Sequence, residues 1–173
     1  MTSTLAVFEV APALAQRFID ALAPDALRNY LVSRDRLSDA VRKASALRVQ
    51  KELEFERAFV NAGGLLVAGC DPTGNGSAVA GFGDQRNLEL LVSGGFTPVE
   101  AIRIATFNGA RLLGLDDKLG SIAVGKQADI VVLDGNPASQ IADVEKVHLV
   151  FKDGLGFDPE KLLASVRGQV GVH

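Results

Sequence analysis

A single carboxylate marks the most promising place for chemistry. Leu65-Leu66-Val67-Ala68-Gly69-Cys70-Asp71-Pro72 runs from apolar and small residues straight into Asp71, and a glycine-rich stretch follows. In parallel α/β folds, loops and helix N-termini converge on the C-terminal ends of strands, so reacting groups collect there. Asp71 occupies such a place, with no lysine or arginine within ten residues to neutralise it. An aspartate followed by proline also suits a plain turn closing a buried strand. Position alone leaves both readings open.

The glycines after Asp71 do not form a phosphate cradle. A dinucleotide fingerprint sets Gly-x-Gly-x-x-Gly directly between strand and helix. Gly74 and Gly76 fit, but Val79 stands where the third glycine belongs, and the next helix is expected only near Asp84. The composition from Pro72 to Gly83 suits a loop or lid over a small-molecule pocket, with Asn75 and Ser77 as substrate contacts. Gly76-Ser77-Ala78 lacks the spacing of a nucleophile elbow, and Cys70, with no histidine near it in sequence, reads as packing. A catalytic zinc takes three or more ligands with histidine prominent, and the chain holds 2 histidines. His148 lies inside the apolar run Val147–Phe151, and His173 is the last residue. One carboxylate cannot hold a metal alone, so the partners of Asp71 would lie outside this sequence.

Several elements must position that carboxylate. Thr4 to Val10 reads as a buried strand. Pro12 opens a helical segment with Leu14, Phe18 and Leu22 at four-residue steps, and Pro24-Asp25 opens a second that runs to about Ser33. A third runs from Ser38, its N-cap, to Asn61, and Gly63-Gly64 ends it. Strand Leu65 to Gly69 follows. Strands without polar alternation, separated by helices, predict a parallel sheet under helices, an α/β fold. Asn87 to Ser93 is helical, and Thr97-Pro98-Val99-Glu100 combines a cap, a proline at the first position and a capping-box partner. That helix is expected to continue, bent, through Leu113. Beyond residues 114 to 118 the chain turns β-rich, with strands at Ala128–Leu133 and Val147–Lys152 and turns at Asp134-Gly135 and Asp153-Gly154. A short amphipathic helix follows Asp158.

Composition narrows the function classes. A net charge of −3 gives no footprint for nucleic acid or an anionic membrane. No apolar run approaches the ~18 residues of a membrane span. The chain is 47% hydrophobic with a mean hydropathy of +0.20, which points to strands buried on both faces or surface meant to meet more protein. A lone cysteine excludes an internal disulfide framework and suits a reducing, cytoplasmic setting.

From Asn87 to Gly154 an ordered series of motifs resembles the C-terminal portion of the amidohydrolase superfamily, in its imidazolonepropionase-like and prolidase-like branch. The pieces are Gly69-Cys70-Asp71, Glu89-Leu90, Thr97 to Ile102, Ala105 to Asn108, Gly120-Ser121-Ile122 and Gly125-Lys126-x-Ala128-Asp129-Ile130-Val131-Val132-Leu133-Asp134-Gly135. The resemblance implies the last strands and helices of a (β/α)8 TIM-like barrel over residues 1–116. Strands of a small β-sandwich would follow over 117–156, then a C-terminal helix and tail over 157–173. It further implies that Asp71 is both a metal ligand and the catalytic proton shuttle of a metal-activated water. The reaction would be hydrolysis of a carbon–nitrogen bond in a small amide, cyclic amide or dipeptide, with one or two divalent metals, zinc by type.

The departures matter as much. Members of that family carry an early His-x-His pair, a bridging lysine or glutamate and two further histidines, none of which is present. The chain is therefore expected to be a C-terminal half that is inactive alone. It would work as a homo-oligomer or with a missing N-terminal half, or else serve as a non-catalytic split subunit or interaction domain.

Overall fold

The computed structural model describes residues 1–10, 13–72 and 78–171. Strand β1 (Thr2–Ser3) runs parallel to β2 (Val67–Ala68), with Thr2 opposite Val67 and Ser3 opposite Ala68. Between them come α1 (Gln16–Ala21), α2 (Pro24–Arg36) and α3 (Asp39–Asn61). After β2 follow α4 (Phe82–Ser93), α5 (Pro98–Ala105) and α6 (Phe107–Leu112). An antiparallel sheet of β3 (Ile130–Leu133), β4 (Val147–Lys152) and β5 (Leu155–Phe157) comes next, then α7 (Pro159–Ser165). The architecture is mixed α/β. Among the described residues no helix is long and apolar enough to cross a membrane.

The first strand differs from expectation. Thr4 to Val10 is not extended: Leu5–Phe8 forms one 3-10 turn, closed by the Val7 N–H donating to Thr4 O at 3.1 Å. The cause is a distant side chain. Asn87, fully buried on α4, accepts from the Leu5 N–H at 2.8 Å and donates through Nδ2 to Ser3 O and Ser3 Oγ, each at 3.2 Å. A helix thus takes hydrogen bonds that a longer strand would have given to a neighbour. Leu5 and Ala6 are buried all the same, because a short apolar run fills a core in either conformation. β2 is likewise shorter than 65–69, although bonds at its flanks prolong the pairing. The Met1 ammonium donates to Leu65 O at 2.9 Å, and the Gly69 N–H donates to Ser3 O at 2.8 Å.

The helices follow their sequence signals closely, with one exception. Ser38 caps α3 by accepting from the Val41 N–H, and Gly63 leaves it at φ +86°. Pro24 sits in the first turn of α2. Leu14, Phe18 and Leu22 share one buried cluster with Tyr30, Val79 and Phe82, although α1 is regular only over Gln16–Ala21. Phe18 and Phe82 meet edge to face at 5.3 Å. The exception is α4, which begins at Phe82, two residues before the start expected near Asp84 and five before Asn87. Its first turn contains Gly83, where a Cβ would collide with Cys70 Sγ. A residue of low helix propensity therefore conceals a helix start.

The capping box at Thr97 and Glu100 is formed on both sides, and the helix breaks at Thr106 (φ −118°, ψ −81°) before α6. β4 has its expected bounds, and β3 starts two residues later than Ala128. β5 completes a hairpin through Asp153-Gly154, at φ +52° and +78°. That pair of positive angles belongs to the mirror-image turns whose twist suits antiparallel strands. The main core joins Leu5, Val49, Leu53, Leu66, Leu91, Phe96, Ala101 and Ile104 where α3, α4 and α5 cover the parallel pair.

Candidate active site at the end of β2

Asp71 lies three residues beyond Ala68, exposed, with φ +50°. Left-handed backbone is uncommon outside glycine, and aspartate is among the residues that tolerate it. The turn divides two neighbours: Cys70 is folded inward and Asp71 stands on the surface. Cys70 is 8% exposed, with Sγ 3.9 Å from Val79 O. Burial first, then the fields of Asp84 and Asp71, push its thiol up to about 11. A thiol so held stays protonated at neutral pH and is no nucleophile, which agrees with its reading as packing.

The first turn of α4 closes over this end of the strand. Asp84, in that turn, has its pKa raised by loss of hydration, against the lowering effect of the Gly81 backbone N–H. Two carboxylates therefore act on the Cys70 neighbourhood, one from the strand end and one from the helix start. β2 itself is held from behind: Asn108 Nδ2 on α6 donates to Leu66 O at 2.8 Å. Sequence reasoning missed Asn87, Asn108 and Asp84 as positioning groups. A signal existed for Asn87, a polar side chain on the stripe that also carries Leu90 and Leu91.

The remaining predicted residues are not gathered here. Asn75 and Ser77 lie outside the described residues, as does His173. His148 sits on β4 in the antiparallel sheet, with an exposed side chain and Nδ1 3.3 Å from Asp134 Oδ2. Among the described residues no group of three or more His, Cys, Asp or Glu could hold a metal ion. Two carboxylates beside a thiol do not fit the histidine-rich set of three or more ligands that a catalytic zinc takes. The described residues alone do not fit a metal centre.

The parallel strand pair under helices, with a carboxylate at its C-terminal end, can be set beside known proteins. Residues 27–155 match the family model described as "Amidohydrolase family". The chain belongs to the amidohydrolase family. It is 32% identical over 108 residues to 5-methylthioadenosine/S-adenosylhomocysteine deaminase of Teredinibacter turnerae, covering 54% of this chain and 24% of that protein. It is 44% identical over 61 residues to imidazolonepropionase of Shewanella frigidimarina, covering 34% and 15%. A crystal structure of a Xaa-Pro dipeptidase with bound methionine in the active site superposes with a TM-score of 0.57 and 28% identity, covering 79% of this chain and 34% of that one. The amidohydrolase chain described here thus spans a quarter or less of these two curated relatives and about a third of the dipeptidase. Its family is one of hydrolases acting on carbon–nitrogen bonds, as a rule with metal.

Proposed function

We propose that this chain is the C-terminal part of a hydrolase of small amides, cyclic amides or dipeptides, and that Asp71 is its proton-transferring carboxylate. The observation that carries the reading is the placement of Asp71. It leaves the end of a parallel strand in left-handed backbone, exposed, with α4 beginning beside it. In this reading residues 1–116 are the last part of a (β/α)8 barrel, 117–156 strands of a β-sandwich and 157–173 a terminal helix and tail. The Asp71 anion takes a proton from the attacking water as the C–O bond forms. It returns that proton to the departing nitrogen as the C–N bond breaks, so that the amine leaves neutral. Asn75 and Ser77, outside the described residues, would be its substrate contacts. Asp71 would also be a metal ligand, zinc by type, completed by residues beyond those described.

A second reading is favoured by one observation, the lack of a ligand cluster among the described residues. On it the chain is a non-catalytic subunit or interaction domain. Zinc analysis and a hydrolysis assay separate the two, with a panel of dipeptides, N-acyl amino acids and cyclic amides. The chain alone should be metal-poor and inactive. Addition of a separately expressed N-terminal half that carries histidine ligands should restore turnover. Failure of every such pairing supports the second reading, and stoichiometric zinc with turnover by the chain alone overturns the fragment reading.

A further inference from the structure

Glu56 has no part in the site at Asp71, yet it is the most deeply placed carboxyl of α3. It shares the helix face of the buried Val49 and Leu53 and is 5% exposed. Its Oε2 is buried without a hydrogen-bond partner. The carboxyl comes near the buried Ser3 hydroxyl of β1, whose Oγ accepts from Asn87 Nδ2 of α4 at 3.2 Å. Glu56 lies at the α3 end of this small buried polar group.

The charge state of that end is decided by what surrounds it. An anion here would surrender its hydration with Oε2 left unpartnered, a poor exchange. Ser3 of β1 and Asn87 of α4 carry no charge, and the Met1 ammonium is held on Leu65 O. Arg57, next along α3, is turned away, with its guanidinium 4.8 Å from the Phe96 ring centre and bonded to Gly95 O. Arg86 of α4 is taken by Glu9 and Glu89. The charge that reaches Glu56 is that of Glu52, one turn earlier and of the same sign. Burial pushes the Glu56 carboxyl up to about 7, Glu52 adds to the rise, and the Ser3 hydroxyl opposes it.

We propose that Glu56 is a proton-controlled latch: the neutral acid keeps α3 seated on the Leu5–Phe8 turn that follows β1, and loss of its proton loosens that seat. β1 pairs with β2, so the latch also governs how firmly the strand leading to Asp71 is held. A carboxyl that is a weaker acid folded than unfolded binds more protons in the native state. Its contribution to stability is complete below the ordinary value of 4.5 and is lost as pH rises through about 7.

The test is thermal unfolding of this chain from pH 5 to 8.5, beside Glu56→Gln and Glu52→Gln. The wild-type Tm should fall over that range by on the order of 5–10 °C. The Glu56→Gln profile should be nearly flat, and Glu52→Gln should move the fall to lower pH. Side-chain carboxyl 13C NMR of the wild-type chain reads the same group directly and does not depend on either variant folding. One glutamate signal should titrate near pH 7. The proposal is overturned if every glutamate titrates below about pH 5. It is equally overturned if Glu56→Gln keeps the wild-type slope, which would place the effect at Asp84 or Glu145.

Discussion

β3, β4 and β5 are consecutive strands joined by nearby turns, whereas β1 and β2 stand on either side of three helices and stay paired through side chains of others. In the antiparallel sheet, Asp153-Gly154 sets the hairpin, and Val150 opposite Phe157 follows from it. In the parallel pair, two residues per strand leave few ladder bonds, and Asn87 and Asn108 complete the backbone bonding from α4 and α6. The carboxylate of the candidate site stands on the second kind of region. A reacting group there has its place fixed by packing from several elements, and changes far from it in sequence should be felt at it.

The contrast can be broken by changes of decreasing severity. The largest effect is expected from Asn87→Ala, which strands the Leu5 N–H and removes both bonds to Ser3. We expect a loss of about 3 kcal/mol, read by urea denaturation, with amide exchange accelerated in β1 and β2 but not in β4. Gly83→Ala comes next. Its Cβ would press on Cys70 Sγ, costing about 2 kcal/mol and displacing the chain next to Asp71. Chemical-shift changes should then centre on Cys70, Asp71 and α4. Gly154→Ala is the mildest, about 1 kcal/mol for a side chain at φ +78°. Amide exchange should rise in β4 and β5 while β1 and β2 are untouched. If Gly154→Ala loosens the parallel pair as much as Asn87→Ala does, the two regions are not distinct.

The same contrast explains what could be read from residues alone. The bounds of β4, the cap of α3 at Ser38 and the start of α5 at Thr97 rest on neighbours within a few positions. Their signals are complete in short windows of sequence. The turn at Leu5–Phe8 is decided by Asn87, 82 residues away, so the same apolar run read equally well as a strand. The start of α4 was blurred because its first turn carries a glycine, where a Cβ would meet Cys70 Sγ. Glu56 looked like any surface glutamate on a long helix, since only the tertiary packing of α3 buries it. Asp71 was visible as a strand-end carboxylate, and the family is borne out by the match over residues 27–155. Asn75 and Ser77 lie outside the described residues, and the ligand set implied by the family is not found among the described ones.

Chemistry at Asp71 is the centre of this account, and Asp71→Asn addresses it most directly. The substitution keeps size and hydrogen-bonding shape while removing the charge, and asparagine tolerates the same left-handed backbone. In an assembly that turns over, we predict a fall in kcat of about a thousandfold, with Tm and far-ultraviolet circular dichroism unchanged. A variant that keeps near-normal kcat would contradict the assignment, as would one that loses activity only because it unfolds.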